Sequence, residues 1–152
     1  MPLNQALKGK EYPQTVPYEI GREKIREFAI AISDGNPVYH DEAAAKAAGY
    51  RDLIAPPTFL TVLNFKYSPQ IVLDPELGLD YSRVVHGSQE YELLRPLHPG
   101  DRLVAKARIS DIFAKGKNEF LIIDADILTE EGEKVAVARG TIVSRGTAPQ
   151  EG

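Results

Sequence analysis

Arg102-Leu103-Val104-Ala105-Lys106-Ala107-Arg108-Ile109 is the stretch on which the fold turns. Leu103, Ala105, Ala107 and Ile109 recur with a period of two while Lys106 and Arg108 fall on the other side, which reads as a β-strand with one buried face. The strand continues to Phe113, and similar alternating runs cover Arg83 to Leu94, Glu119 to Thr129 and Lys134 to Arg145. Their connections are turn-like. Ala114-Lys115-Gly116-Lys117-Asn118 and Glu130-Glu131-Gly132-Glu133 are short and carry glycine, and Pro96-Leu97-His98-Pro99-Gly100-Asp101 is a tight proline and glycine turn, so the second half reads as antiparallel hairpins. Alanines 105 and 107, with Ala136, Ala138 and Gly140 in the last strand, leave room for a helix close to the sheet. His98 is expected to be exposed in its turn and without function. His86, beside Gly87 at the head of a strand, reads as a structural or interface residue.

The first half supplies the helices. Residues 1–16 are polar and turn-rich, followed by a short strand at Tyr18-Glu19-Ile20. From Arg22 to Ile32 the apolar residues Ile25, Phe28, Ala29 and Ile32 follow helical spacing, with Glu23 in the first turn, where the helix dipole favours an acid. Asp41 is placed to cap a second helix through Ala43-Ala44-Ala45, ended by Gly49. After Pro56-Pro57, Thr58 is the expected N-cap of a third and longer helix, with Phe59, Val62, Leu63 and Lys66 or Tyr67 on one stripe. That stripe reads first as core and second as the lining of an apolar channel. Helices followed by an antiparallel sheet predict an α+β domain. No repeat or linker divides the 152 residues, a length that buries roughly two-thirds of the unfolded surface.

Composition excludes several classes. The chain has no cysteine, so disulfides, thiolate zinc sites and a cysteine nucleophile are unavailable, and a cytosolic setting is expected. Basic residues are interspersed with acids at a net charge of −4, which leaves no footprint for nucleic acid. No signal peptide and no run of membrane-spanning length is legible, so no membrane partner is expected.

The chemistry concentrates in Ser33-Asp34-Gly35-Asn36-Pro37-Val38-Tyr39-His40-Asp41, between the first two helices. A carboxylate, a carboxamide, a rigid proline, a phenol and an imidazole share one turn, an inventory suited to acid–base work. The same residues also suit a purely structural turn, in which Asp and Asn bond nearby backbone and Pro fixes the loop. Tyr39 can equally be a half-buried packing residue, and His40 an ordinary loop histidine. No cluster of metal ligands accompanies them.

This order of elements resembles the hot-dog fold, an antiparallel sheet wrapped around a central helix. Asp34-Gly35-Asn36-Pro37-Val38 resembles the opening of the MaoC-like (R)-specific enoyl hydratase signature, Asp-x-Asn-Pro-hydrophobic-His. Pro96, the Pro99-Gly100-Asp101 turn and Leu103 are similar to that family's strand–turn–strand segment. From Tyr18-Glu19-Ile20-Gly21-Arg22-Glu23-Lys24-Ile25-Arg26-Glu27 onward, nearly the whole chain is similar to short actinobacterial proteins with a MaoC dehydratase N-terminal domain. Those include accessory subunits of the mycobacterial (3R)-hydroxyacyl-ACP dehydratase of the type II fatty-acid synthase. One position departs from the signature. The histidine slot holds Tyr39, and His40 falls one residue late; the family spacing His-x-Asp is matched by Tyr39-His40-Asp41.

The resemblance implies a dehydration or hydration at a 3-hydroxyacyl thioester, with an Asp and a His moving protons and backbone N–H groups near the central helix holding the thioester oxygen. Pro57 has no N–H to offer there. A phenol with a pKa of about 10 is neutral at pH 7 and cannot replace the imidazole as a base, and losing such a group costs about 10²–10⁴ in rate. The leading expectation is therefore a non-catalytic acyl-binding subunit in a heterodimer with a MaoC-like catalytic subunit. Alternatives are an active homodimeric hydratase using Asp34 and His40, and an acyl-thioester or lipid-binding module without chemistry. Candidate catalytic residues are Asp34 and His40; candidate substrate-binding residues are Asn36, Pro37, Tyr39, Thr58, Phe59, Val62, His86 and Gly87. No metal or organic cofactor is implied, and the thioester carrier is CoA or acyl carrier protein.

Overall fold

Alternation of apolar and polar residues produces strands close to the expected limits. In the computed structural model, which describes residues 1–150, they are β1 (Tyr18–Glu19), β2 (Val84–Leu93), β3 (Arg102–Lys115), β4 (Asn118–Thr129) and β5 (Lys134–Ser144). They form one five-stranded antiparallel sheet in the order β1-β3-β4-β5-β2. Gly116, at φ 61°, turns the hairpin between β3 and β4, where Lys115 pairs with Asn118. β1 and β2 are the two edges.

One face of the sheet is the core. Leu103, Ala105, Ala107 and Ile109 of β3 lie beside Leu121, Ile123, Ala125 and Ile127 of β4, all buried. Register pairs Ala107 with Ala125 and Ala125 with Ala138, so a row of alanines crosses three strands. Their short side chains leave space for a helix to lie against the backbone. The helix that fills it is the longest of three, α3 (Thr61–Val72), whose Leu63, Tyr67 and Ile71 are buried one turn apart. Burying Leu63 and Ile71 stabilises the docking by roughly 1.5–3 kcal/mol each. The curled sheet around α3 is a hot-dog fold. The other helices are α1 (Arg22–Ala31) and α2 (Glu42–Ala47). α1 buries Ile25 and Ala29 and sets Phe28 edge-on against Phe59, with ring centroids 5.4 Å apart. Asp41 caps α2 as expected, its Oδ1 accepting from the Ala43 N–H at 2.9 Å, and Gly49 closes it at φ +95°.

The structure corrects three local expectations and decides between the alternatives of a fourth. Thr58 does not cap α3: it is exposed, Leu60 holds the cap position without a side-chain bond, and residues 57–60 form a turn that delays the helix by two residues. The turn follows from Pro56 and Pro57, because the Phe59 N–H bonds the Pro56 carbonyl and the Thr61 N–H bonds the Thr58 carbonyl. On the stripe, Lys66 is exposed and Tyr67 is buried. Ile32 is 44% exposed, since α1 ends one residue earlier and the chain reverses at Ser33. His98 is buried, not exposed: its Nδ1 lies 3.1 Å from the Leu53 carbonyl oxygen.

No helix of the described residues is long and apolar enough to cross a membrane. The alanine row gives the fold its most exacting site. Ala125→Leu is expected to destabilise the protein by roughly 1–3 kcal/mol in urea unfolding, because the added carbons have no void to enter and must push α3 away.

Candidate functional site

The Ser33–Asp41 segment is shaped by the end of α1. Ser33 takes φ 57°, a left-handed conformation uncommon outside glycine, and this lets the Asp34 N–H return to the Ala29 carbonyl at 2.8 Å. The Asp34 carboxylate then braces its own loop, with Oδ1 accepting from the Asn36 N–H at 3.0 Å. Asn36 repeats the device one step on, as Oδ1 accepts from the Val38 N–H at 3.3 Å and caps a 3-10 turn, Pro37–Tyr39, that begins with proline. His40 turns its ring back onto the same loop, with Nε2 2.9 Å from the Asp34 carbonyl oxygen. Its own carbonyl accepts from Arg26 Nε at 3.0 Å.

Tyr39, the residue expected in the signature's histidine slot, is 7% exposed and part of the core. Burial pushes its phenol above the ordinary tyrosine value, and the neighbouring Asp34 charge and Tyr50 add to the rise. The group therefore stays neutral throughout the physiological range. The loop thus presents a carboxylate engaged with backbone, an imidazole engaged with a carbonyl, and a phenol that does not ionise.

A cavity of about 440 Å³ lies elsewhere, between α3 and the concave face of β2 and β5. This size suits an organic ligand. Thr61, Asn64 and Tyr67 face it from α3, Val84, His86 and Gln89 from β2, and Ile123, Gly140 and Ile142 from the sheet behind; exposed Phe65 and Tyr81 stand at its rim. The α3 polar groups are bonded to one another. Tyr67 OH donates to Asn64 Oδ1 at 2.6 Å, Asn64 Nδ2 donates to Tyr91 OH at 2.8 Å, and Tyr91 OH shares a 2.8 Å bond with Thr61 Oγ1. Burial raises the Tyr67 and Tyr91 phenols above the ordinary value, so both remain neutral donors.

The strand wall depends on a bulge. Register slips between His86 and Ser88, which allows His86 and Gln89, three residues apart, both to face the cavity. Gly87 sits in the slip, where a Cβ would come within 3.1 Å of Val143 Cγ2 and 3.2 Å of the Thr141 carbonyl oxygen. Its role is to let two strands approach, and it does not line the cavity.

The expected site residues therefore separate into groups. Asp34, Asn36, Pro37, Tyr39 and His40 stand together on the loop, and none of them lines the cavity. His86 does line it. Phe59 is sealed in the core, Val62 is half-buried against the core without reaching the cavity, and Thr58 lies exposed in the turn before α3. The N–H groups of Phe59, Thr61, Val62 and Leu63 already bond carbonyls three residues back, so those donors are occupied at the start of α3. Sequence reasoning missed Thr61, Asn64 and Gln89. The glycine inside an alternating strand was the available sign, since it marks a bulge and a change of phase.

A second, polar cleft near the β3 start is internally neutralised. Arg95 holds Asp101 through two bonds of 2.9 and 3.0 Å and also reaches Glu133 at 3.0 Å. Burial alone would raise the Asp101 carboxyl, but Arg95 outweighs it and holds the group below the usual range. This is a brace for the Pro96–Asp101 turn.

The fold is that of a hot-dog protein, and the sequence falls in the dehydratase class. Residues 6–138 match the FAS1-like, dehydratase domain region, and the chain belongs to that family. It is similar to the UPF0336 protein of Saccharopolyspora erythraea, 57% identical over 148 residues that cover 97% of this chain and 95% of that one. The UPF0336 protein of Streptomyces avermitilis is 50% identical over 152 residues, the whole of both chains. Among solved structures it resembles a MaoC-like dehydratase with a TM-score of 0.85 and 27% identity over 93% of this chain, while spanning 43% of that longer chain. It also resembles the HadBC (3R-hydroxyacyl-ACP dehydratase) complex from Mycobacterium tuberculosis, with a TM-score of 0.77 and 27% identity over 90% of this chain and 96% of that one.

Because the His40 ring closes the loop onto the Asp34 carbonyl, His40→Ala is expected to lower stability by about 1 kcal/mol in urea unfolding. An unchanged midpoint would mean that the ring is free of the backbone in solution.

Proposed function

We propose that this chain is the acyl-binding, non-catalytic subunit of a (3R)-hydroxyacyl thioester dehydratase or enoyl-thioester hydratase of the cytoplasm. Its partner is a MaoC-like subunit carrying an intact Asp and His. The observation that carries this reading is that Tyr39, aligned with the signature's histidine by sequence, is a buried phenol held neutral. Dehydration removes a proton from C2 of the acyl group and protonates the leaving hydroxyl at C3. A neutral phenol cannot take the first proton, and Asp34 and His40 are both turned inward upon the loop. What this chain offers is a cavity walled largely by apolar side chains, away from the loop, shaped for an acyl group carried by CoA or acyl carrier protein.

Pairing is supported by the sheet. β2 is an edge strand of ten residues with one side of its backbone unpaired, and Val85, Leu93 and Leu94 beside it are exposed. Such an edge invites a second strand. The similarity to a complex of dehydratase subunits fits a partner with the same fold.

A tagged copy purified under native conditions from its own host is expected to bring down a MaoC-like subunit with the full Asp-x-Asn-Pro-x-His signature in near-equal amount. Recovery of the chain with itself alone would contradict the heterodimer.

A further inference from the structure

The acyl-binding reading leaves one group in the cavity wall unexplained. Among the described residues, Gln89 Nε2 is the only buried side-chain nitrogen or oxygen with no hydrogen-bond partner. Its surroundings hold the other end of the amide. Oε1 lies 3.3 Å from His86 Nε2, and the amide rests on Gly140, where a Cβ would come within 3.0 Å of Oε1. The bare backbone at Gly140 is what makes room for the carboxamide. Exchanging the amide oxygen and nitrogen would only orphan the carbonyl instead, so the unmade bond belongs to Gln89 in either orientation.

The contrast with the facing wall is informative. Thr61, Asn64, Tyr67 and Tyr91 are each engaged with one another, so a ligand there meets groups that already hold partners. Gln89 Nε2, buried and with no partner at all, has no bond to give up. The last torsion of a glutamine is soft, so its N–H can swing toward the cavity without any movement of β2. An orphaned donor in such a wall is normally answered by a water, an ion or a ligand. An unsubstituted alkyl chain filling this space would leave it unanswered, whereas a chain bearing an oxygen would not.

Resting on the acyl-binding reading, we infer that Gln89 is the specificity-determining residue of the cavity: its carboxamide N–H donates to the 3-hydroxyl oxygen of a bound 3-hydroxyacyl group. His86 and Gly140 are positioning residues that hold the carboxamide in place. The donor selects the oxygenated chain over the plain one of equal length, and does no proton transfer itself.

Calorimetric titration of the purified chain with 3-hydroxyoctanoyl-CoA and with octanoyl-CoA tests this. The native protein is expected to favour the hydroxylated ligand by roughly threefold to tenfold, the worth of one net hydrogen bond. In Gln89→Leu the ratio should fall to about one, with no loss of thermal stability, because the substitution removes an orphan from an apolar wall. Gln89→Met repeats the test with an unbranched side chain should leucine disturb the strand. Equal binding of the two ligands by the native protein, or a preference that survives both substitutions, would overturn the inference while leaving the acyl-binding reading intact. Binding of neither ligand would overturn that reading as well.

Discussion

The close approach of α3 to the sheet is the constraint on which everything else depends. Ala107, Ala125 and Ala138 lie side by side across three strands, and Leu63, Tyr67 and Ile71 settle on the surface they create. Larger side chains there would lift the helix, and the cavity between α3 and the β2–β5 face would lose its roof. The same approach brings Asn64 and Thr61 within reach of Tyr91, which ties helix to edge strand by polar bonds as well as by packing. The seat of α3, and with it the cavity beside the helix, depends on one row of small residues.

Much of this was legible in the sequence. Period-two runs gave all four long strands to within two residues at either end, because a sheet with one buried face writes its pattern directly into the chain. Asp41 and Gly49 announced the ends of α2 for equally local reasons. Failures came where a distant partner decides. Nothing near His98 in its proline and glycine turn announces that its ring meets the carbonyl of Leu53, forty-five residues away. Thr58 looked like a cap because its residue type is right, but Pro56 and Pro57 impose a tighter turn first. Gln89 was hidden by phase: counted by twos from His86 it falls on the outer face, and only the slip at Gly87 turns it inward.

The loop and the cavity answer different chemical demands. Taking a proton near neutral pH requires a group that is not already protonated, and the buried phenol of Tyr39 keeps its proton. Acyl binding requires shape and a few well-placed donors, and makes no demand on ionisation. Within the loop Asp34 and Asn36 brace successive turns, and the His40 ring lies against the Asp34 carbonyl. On the proposed reading, this chain contributes the fold and the cavity and leaves the proton transfers to its partner.

The most direct measurement is crotonyl-CoA hydration, followed at the enoyl-thioester absorbance, by the purified chain alone and then with a MaoC-like subunit carrying the full signature. The account predicts no turnover alone and greater turnover by the pair than by the partner subunit by itself. Turnover by the chain alone that disappears in His40→Ala would contradict it, because the displaced histidine would then be the working base.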